Sequence, residues 1–190
     1  MREAKTAPAD TRARAHSAAS ADLSFQELFL EQWSGIYNLL VRMIGDPAEA
    51  EDLALETFYR FYKNPPRNEE GSNLRGWLFR VATNLGLHSI RNESRRQQYE
   101  LEAGKYAMEA SAPERPEEVL ENKEANHLVR LVLSRMKPRQ AELLILRYSG
   151  MEYKEIAQAL GLAPTSIGPL LLRAEREFAK IYRSHSREES

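Results

Sequence analysis

Apolar residues recur at helical spacing along most of the chain, and the breaks between the runs are rich in proline, glycine, asparagine and acid. Phe25, Leu28, Phe29, Trp33, Ile36, Leu40, Met43 and Ile44 fall on one face of a long amphipathic helix that stops at Gly45. Asp46, Pro47 and Glu49 then predict a helix start: an N-cap acceptor, a proline suited to the first helical position, and an acid placed to reach back as in a capping box. This second helix is expected to bury Ala50, Leu53, Ala54, Phe58, Phe61 and Tyr62, and to display Glu51, Asp52, Glu56 and Arg60. Pro65 and Pro66 make Asn64 to Asn73 a loop, and Asn73 caps a third helix with Leu74, Trp77, Leu78, Val81, Ala82 and Leu85 on one face. That helix continues through His88 toward Glu100. Periodicity is lost from Leu101 to Pro116, a linker that carries Pro113 and Pro116. Beyond it, Leu128, Leu131, Val132 and Met136 share one face, Pro138 restarts the chain, and Ala141, Leu144, Ile145 and Tyr148 share another up to Gly150.

The stretch from Tyr153 to Ala179 reads as two helices and a tight turn. Ile156, small Ala157 and Leu160 form one face, Gly161 supplies a left-handed exit, and Ile167, Leu170, Leu171, Ala174 and Phe178 form the face of the next helix beside Arg173, Arg176 and Lys180. The pattern fits a helix-turn-helix, in which the small residue permits a close crossing; an ordinary helical hairpin has the same periodicity. The expected fold is all-α: two small helical domains on a flexible linker, the C-terminal one containing the helix-turn-helix. The expected bounds are a disordered tail over 1–22, a first domain over 23–100, a linker over 101–116, a second domain over 117–183 and a frayed tail over 184–190.

Composition narrows the function. The formal net charge is −1, so nucleic-acid binding has to come from local patches. The chain has no cysteine, which excludes disulfides and cysteine-based zinc sites. No apolar run approaches the roughly 20 residues that span a bilayer, so a cytoplasmic protein with no membrane insertion of its own is expected. The basic, alanine-rich start has the composition of a transit peptide but no apolar face, and a solvated tail is the expected reading. His16, His88, His127 and His185 are scattered, with no paired-ligand spacing and no glycine-rich phosphate loop. Neither a metal, nor a cofactor, nor catalysis is expected. The acidic front of the second helix is either a solvated or a partner-binding face. Arg91, Arg95 and Arg96 complement a helix dipole or form a phosphate-tracking patch near Trp77, Asn84, His88 and Tyr99.

Three segments in order, DPAEAEDLALETFYRFY, LRGWLFRVATNLGLHSIR and MKPRQAELLILRYSGMEYKEIAQALGL, resemble the two conserved regions of bacterial extracytoplasmic-function (ECF) sigma factors, from Phe25 to Tyr182. The resemblance implies a non-enzymatic transcription initiation factor with core RNA polymerase and promoter DNA as partners, and an anti-sigma factor as a regulatory partner. It implies polymerase docking through Glu51, Asp52, Leu55 and Glu56, with Leu55 standing where relatives usually carry glutamine. It implies minus-ten recognition and melting through Arg75, Arg80, Asn84, His88 and Arg91, with Arg95 and Arg96 on phosphates. Minus-thirty-five recognition would fall to Thr165, Ser166, Gly168, Pro169, Arg173 and Arg176. Gly168, Pro169 and Leu170 depart from the lysine, serine or arginine of relatives, and Ser166 is expected as the N-cap that puts Pro169 in the tolerated first turn. The competing reading is a sigma-like interaction module that binds polymerase or an anti-sigma partner without reading promoters. The acidic linker, with Glu114, Glu117, Glu118 and Glu121 in it and just after it, is expected to lie against basic surfaces when DNA is absent.

Overall fold

The computed structural model describes the backbone of residues 9–66, 73–102 and 117–188, and the side chains of 25–66, 73–100 and 125–185. Among the described residues there are seven helices and no strand: α1 (Ala9–Ile44), α2 (Pro47–Lys63), α3 (Leu74–Glu102), α4 (Glu117–Arg135), α5 (Pro138–Tyr148), α6 (Tyr153–Leu160) and α7 (Pro164–Glu188). The all-α expectation is met. Helix α1 takes in residues 9–22, assigned above to a tail, where Ala13, Ala15, Ala18 and Ala19 supply the strongest helix formers. Residues 1–8 and the linker from 103 to 116 lie outside the described residues. Helix α7 runs on through 184–188.

Contacts divide the chain into residues 1–35 and residues 36–190. In the first unit, Phe29 packs on Phe25 (6.2 Å between ring centroids) and stacks on Trp33 at 5.1 Å. The second unit is built around α3, which packs against α2, α4, α5 and α6, so the helical regions on either side of the linker meet directly.

Local chemistry fixes where the helices start. Asp46 Oδ1 accepts from the amides of Ala48 (2.8 Å) and Glu49 (3.3 Å) ahead of Pro47, as the sequence predicts. The Glu49 carboxylate accepts from the Ser89 hydroxyl on α3, tying α2 to that helix. Asn73 caps α3 by accepting from the Gly76 amide at 2.7 Å, and a Cβ at Gly76 would collide with the Asn73 side chain.

The core holds Ile36, Leu40 and Phe58 from α1 and α2, Leu78 and Leu87 from α3, and Val132, Leu143, Leu146, Met151, Ile156 and Ile167 from the C-terminal helices and the turn before α6. Two assignments are corrected. Tyr62 and Tyr148, expected in the core, are 59% and 74% exposed; Tyr62 shares the outward face of α2 with Leu55 and Tyr59 while its neighbour Phe61 is buried, and Tyr148 closes the last turn of α5. Helix α3 also buries more than the one face expected: Phe79, Thr83, Leu87 and Ile90 are buried alongside Leu78 and Ala82. Helix α5 is buried at every position from Ala141 to Leu146, since α3 covers one side and α6 and α7 the other.

Candidate polymerase and nucleic-acid interfaces

Helix α2 turns its apolar side to the core and leaves Glu51, Asp52 and Leu55 outward, Leu55 with 48% of its surface exposed. Glu56 is partly exposed and pairs with Arg60 one turn on (2.8 Å). Tyr59 and Tyr62 continue this face, with the Lys63 ammonium 5.5 Å from the Tyr59 ring centroid. Sequence reasoning missed the two tyrosines as surface groups. The spacing of Leu55, Tyr59 and Tyr62 was the available signal, since it runs one face further round the helix than Ala54, Phe58 and Phe61.

The C-terminal pair α6 and α7 has helix-turn-helix geometry. The Glu155 carboxylate accepts from the Glu152 amide at 2.8 Å to close the start of α6. Gly161 ends it at φ 63°, ψ 41°, and the Leu162 amide donates to the Ala157 carbonyl at 2.8 Å. Ile156, Ala157, Ile167 and Ala174 are buried in the crossing.

The expected N-cap at Ser166 is corrected. Helix α7 begins at Pro164, whose fixed φ suits a first helical position, and the Ser166 amide already donates to the Ala163 carbonyl at 2.9 Å. Pro169 therefore lies inside the helix, where the missing amide removes a hydrogen bond at a cost of about 3 kcal/mol. Thr165, Pro169, Arg173 and Arg176 are exposed, while Ser166 and Gly168 are half-buried. Leu172, not foreseen on this surface, is 48% exposed. A Cβ at Gly168 would meet only the Tyr153 ring at 3.7 Å, so packing does not demand glycine there.

The basic residues of α3 separate into two groups. Arg75 donates to Glu155 on α6 at 2.8 Å and sits 4.9 Å from the centroid of the Phe79 ring. Arg80 donates to the Ala159 carbonyl at 2.9 Å, with its Nε 4.0 Å from Glu142 on α5. Asn84 donates to Glu142 at 3.2 Å, and Arg91 reaches the Met136 carbonyl at 3.4 Å. Glu142 is buried and also pairs with Arg139 at 3.0 Å. Asn73 adds a bond to the Glu155 carbonyl at 3.1 Å. Burial lowers the Arg91 guanidinium below its usual range, as it does that of Arg130, whose head packs against Gly45.

His88, Arg95 and Arg96 form the second group. All three are exposed and make contacts along α3 itself: His88 with Asn92, Arg95 with Asn92 at 2.5 Å, and Arg96 with Glu93 at 2.8 Å. Trp77 is half-buried and packs edge-on to Phe61 at 5.8 Å, which makes it part of the α2–α3 seam. Among the described residues no cluster of histidine and acid could hold a metal ion, and no helix is long and apolar enough to cross a membrane.

This arrangement coincides with two known sequence families. The Sigma-70 region 2 profile matches residues 26–96, and the Sigma-70 region 4 profile matches residues 126–178. The chain is 26% identical over 166 residues to the ECF RNA polymerase sigma factor SigE of Mycolicibacterium smegmatis, covering 87% of this chain and 64% of that one. It is 27% identical over 167 residues to the RNA polymerase sigma factor YlaC of Bacillus subtilis, covering 87% and 95%. The chain belongs to the ECF sigma factors of the sigma-70 family.

Two solved structures share the fold of this sigma factor. One is CnrH in complex with the cytosolic domain of CnrY (TM-score 0.55, 17% identity, 90% of this chain and 94% of that one). The other is the sigma factor RpoE of Bartonella quintana in complex with the anti-sigma factor NepR (TM-score 0.50, 21% identity, 84% and 97%). In sigma-70 terms, the second half of α1 with α2 and most of α3 is region 2, and α4 to α7 carry region 4.

Proposed function

We infer that this ECF sigma factor is an alternative initiation factor that binds core RNA polymerase and directs it to promoter DNA. The observation that carries this is the order of the parts: an outward acidic face on α2, a donor-rich face on α3, and a helix-turn-helix in α6 and α7. Glu51, Asp52, Leu55 and Glu56 form the polymerase-docking face, and Tyr59 and Tyr62 extend it with apolar area. Charge complementarity at such a face speeds encounter and fixes register. Arg75, Arg80, Asn84, His88 and Arg91 read the minus-ten element, while Arg95 and Arg96 follow its phosphates. Strand opening then needs no catalysis: side chains that grip unpaired bases more tightly than duplex pull the equilibrium toward the melted state. The factor acts where core polymerase and DNA are, in the cytoplasm, and an anti-sigma protein is the fitting regulator.

Helix α7 contacts the minus-thirty-five element, with Thr165 and Ser166 at its front and Arg173 and Arg176 on phosphates. The second reading, a polymerase-binding module that does not read promoters, is favoured by one observation: Pro169 and half-buried Gly168 occupy the centre of that surface and offer no side-chain donor. Run-off transcription with purified core polymerase and a promoter library separates the two. Discrete transcripts support initiation; none, with core binding demonstrated, supports the module. Asp52→Lys is expected to weaken core binding about tenfold. Unchanged affinity would remove α2 from the docking face.

A further inference from the structure

Four of the seven α3 residues assigned to the minus-ten element, Arg75, Arg80, Asn84 and Arg91, hold groups of α5, α6 and the turn before α5. Two of the acceptors are carboxylates, Glu155 on α6 and Glu142 on α5, and they stand against arginines as phosphate oxygens of DNA would. The docking acids Glu51 and Asp52 on α2 are exposed in the same arrangement, and Glu56 is partly exposed. We propose that Glu142 and Glu155 form an intramolecular acidic latch that closes the minus-ten face of α3 while leaving the polymerase-docking face open. The proposal rests on the reading of α3 as the minus-ten face.

Three observations support a closure built to open. The Arg75–Glu155 pair is partly exposed on both sides, so water can replace either partner as they separate. Thr83 Oγ1 on α3 and Gln140 Oε1 on α5 are buried with no hydrogen-bond partner, so the closed state leaves polar groups that hydration would satisfy. The remaining acceptors on this face are main-chain carbonyls of Ala159 and Met136, which hold the arginines by neutral bonds, weaker than a pairing with phosphate. A partner opens the latch only to the extent that it binds the open state more tightly than the closed one. Docking on α2 alone is neutral to the latch, and contacts that hold region 4 away from α3 are what release it.

The test uses the full chain, which has no native cysteine, with dyes on cysteines introduced at exposed Glu100 and Lys154 to report separation of α3 and α6. Binding is read by anisotropy with a fluorescein-labelled pool of random-sequence single-stranded DNA. Glu142→Gln with Glu155→Gln is expected to move the dyes apart and tighten DNA binding about tenfold at low salt. If buried Glu142 proves necessary for folding by circular dichroism, Glu155→Gln alone is expected to give about a threefold gain. Dyes that stay together in every variant, or that separate with no gain in DNA affinity, overturn the latch. Run-off transcription by the wild-type holoenzyme keeps the two claims apart. Transcripts without a DNA gain in the variants refute the latch alone; a DNA gain with a silent holoenzyme refutes the initiation reading alone.

Discussion

Helices α3 and α7 are the two surfaces that would meet promoter DNA, and they fail to be ready for it in opposite ways. Helix α3 is rich in donors, but Arg75, Arg80, Asn84 and Arg91 are occupied by α5, α6 and the turn before α5. Helix α7 is open along Thr165, Pro169, Leu172, Arg173 and Arg176, yet the centre of that strip carries no donor. On the proposed reading, specificity would lean on the downstream element, whose reader is rich but covered, while α7 would contribute affinity through phosphates.

The largest effect is expected at Leu87, fully buried on the helix that packs against α2, α4, α5 and α6. Leu87→Ala is expected to cost about 3 kcal/mol in urea unfolding. A cost under about 1 kcal/mol would mean that α3 is not the shared core helix. Next comes Pro169→Ala, which restores an amide inside α7 and is expected to stabilise the chain by about 1–3 kcal/mol. No gain would show that α7 carries no strain there. Gly161→Ala, at φ 63°, is expected to cost about 1 kcal/mol by the same assay, which checks the left-handed turn that sets α7 against α6. Smallest is Arg173→Ala: holoenzyme binding should weaken evenly across promoter sequences, with the salt dependence reduced by about one charge. A change confined to one base position would make Arg173 a base reader.

Much of this was legible in the chain itself. The turn of the helix-turn-helix was readable because Gly161 and Ala157 are imposed by local geometry, a left-handed exit and a close crossing. The starts of α2 and α3 were readable because Asp46 and Asn73 act on amides within three residues. What could not be read is anything set by a distant partner. The periodicity of α3 shows one apolar face, but Thr83 and Leu87 off that face are buried too, on a helix packed against elements from both sides of the linker. The same limit hid the pairing of Arg75 with Glu155, eighty positions apart. The expectation that acid covers the basic face in the absence of DNA pointed to the linker; Glu142 and Glu155 do this, and the side chains of Glu114, Glu117, Glu118 and Glu121 lie outside those described. Ser166 was misplaced as a cap because proline two residues earlier could equally end a turn or begin a helix.

The central claim is that both DNA-facing helices engage promoter DNA once the factor is on polymerase. Footprinting of the reconstituted holoenzyme on a promoter selected from the library tests it directly. Protection is expected at both elements, with unpaired bases at the downstream one, lost there in Arg80→Ala. Protection missing at either element, on a holoenzyme shown to be assembled, would contradict it.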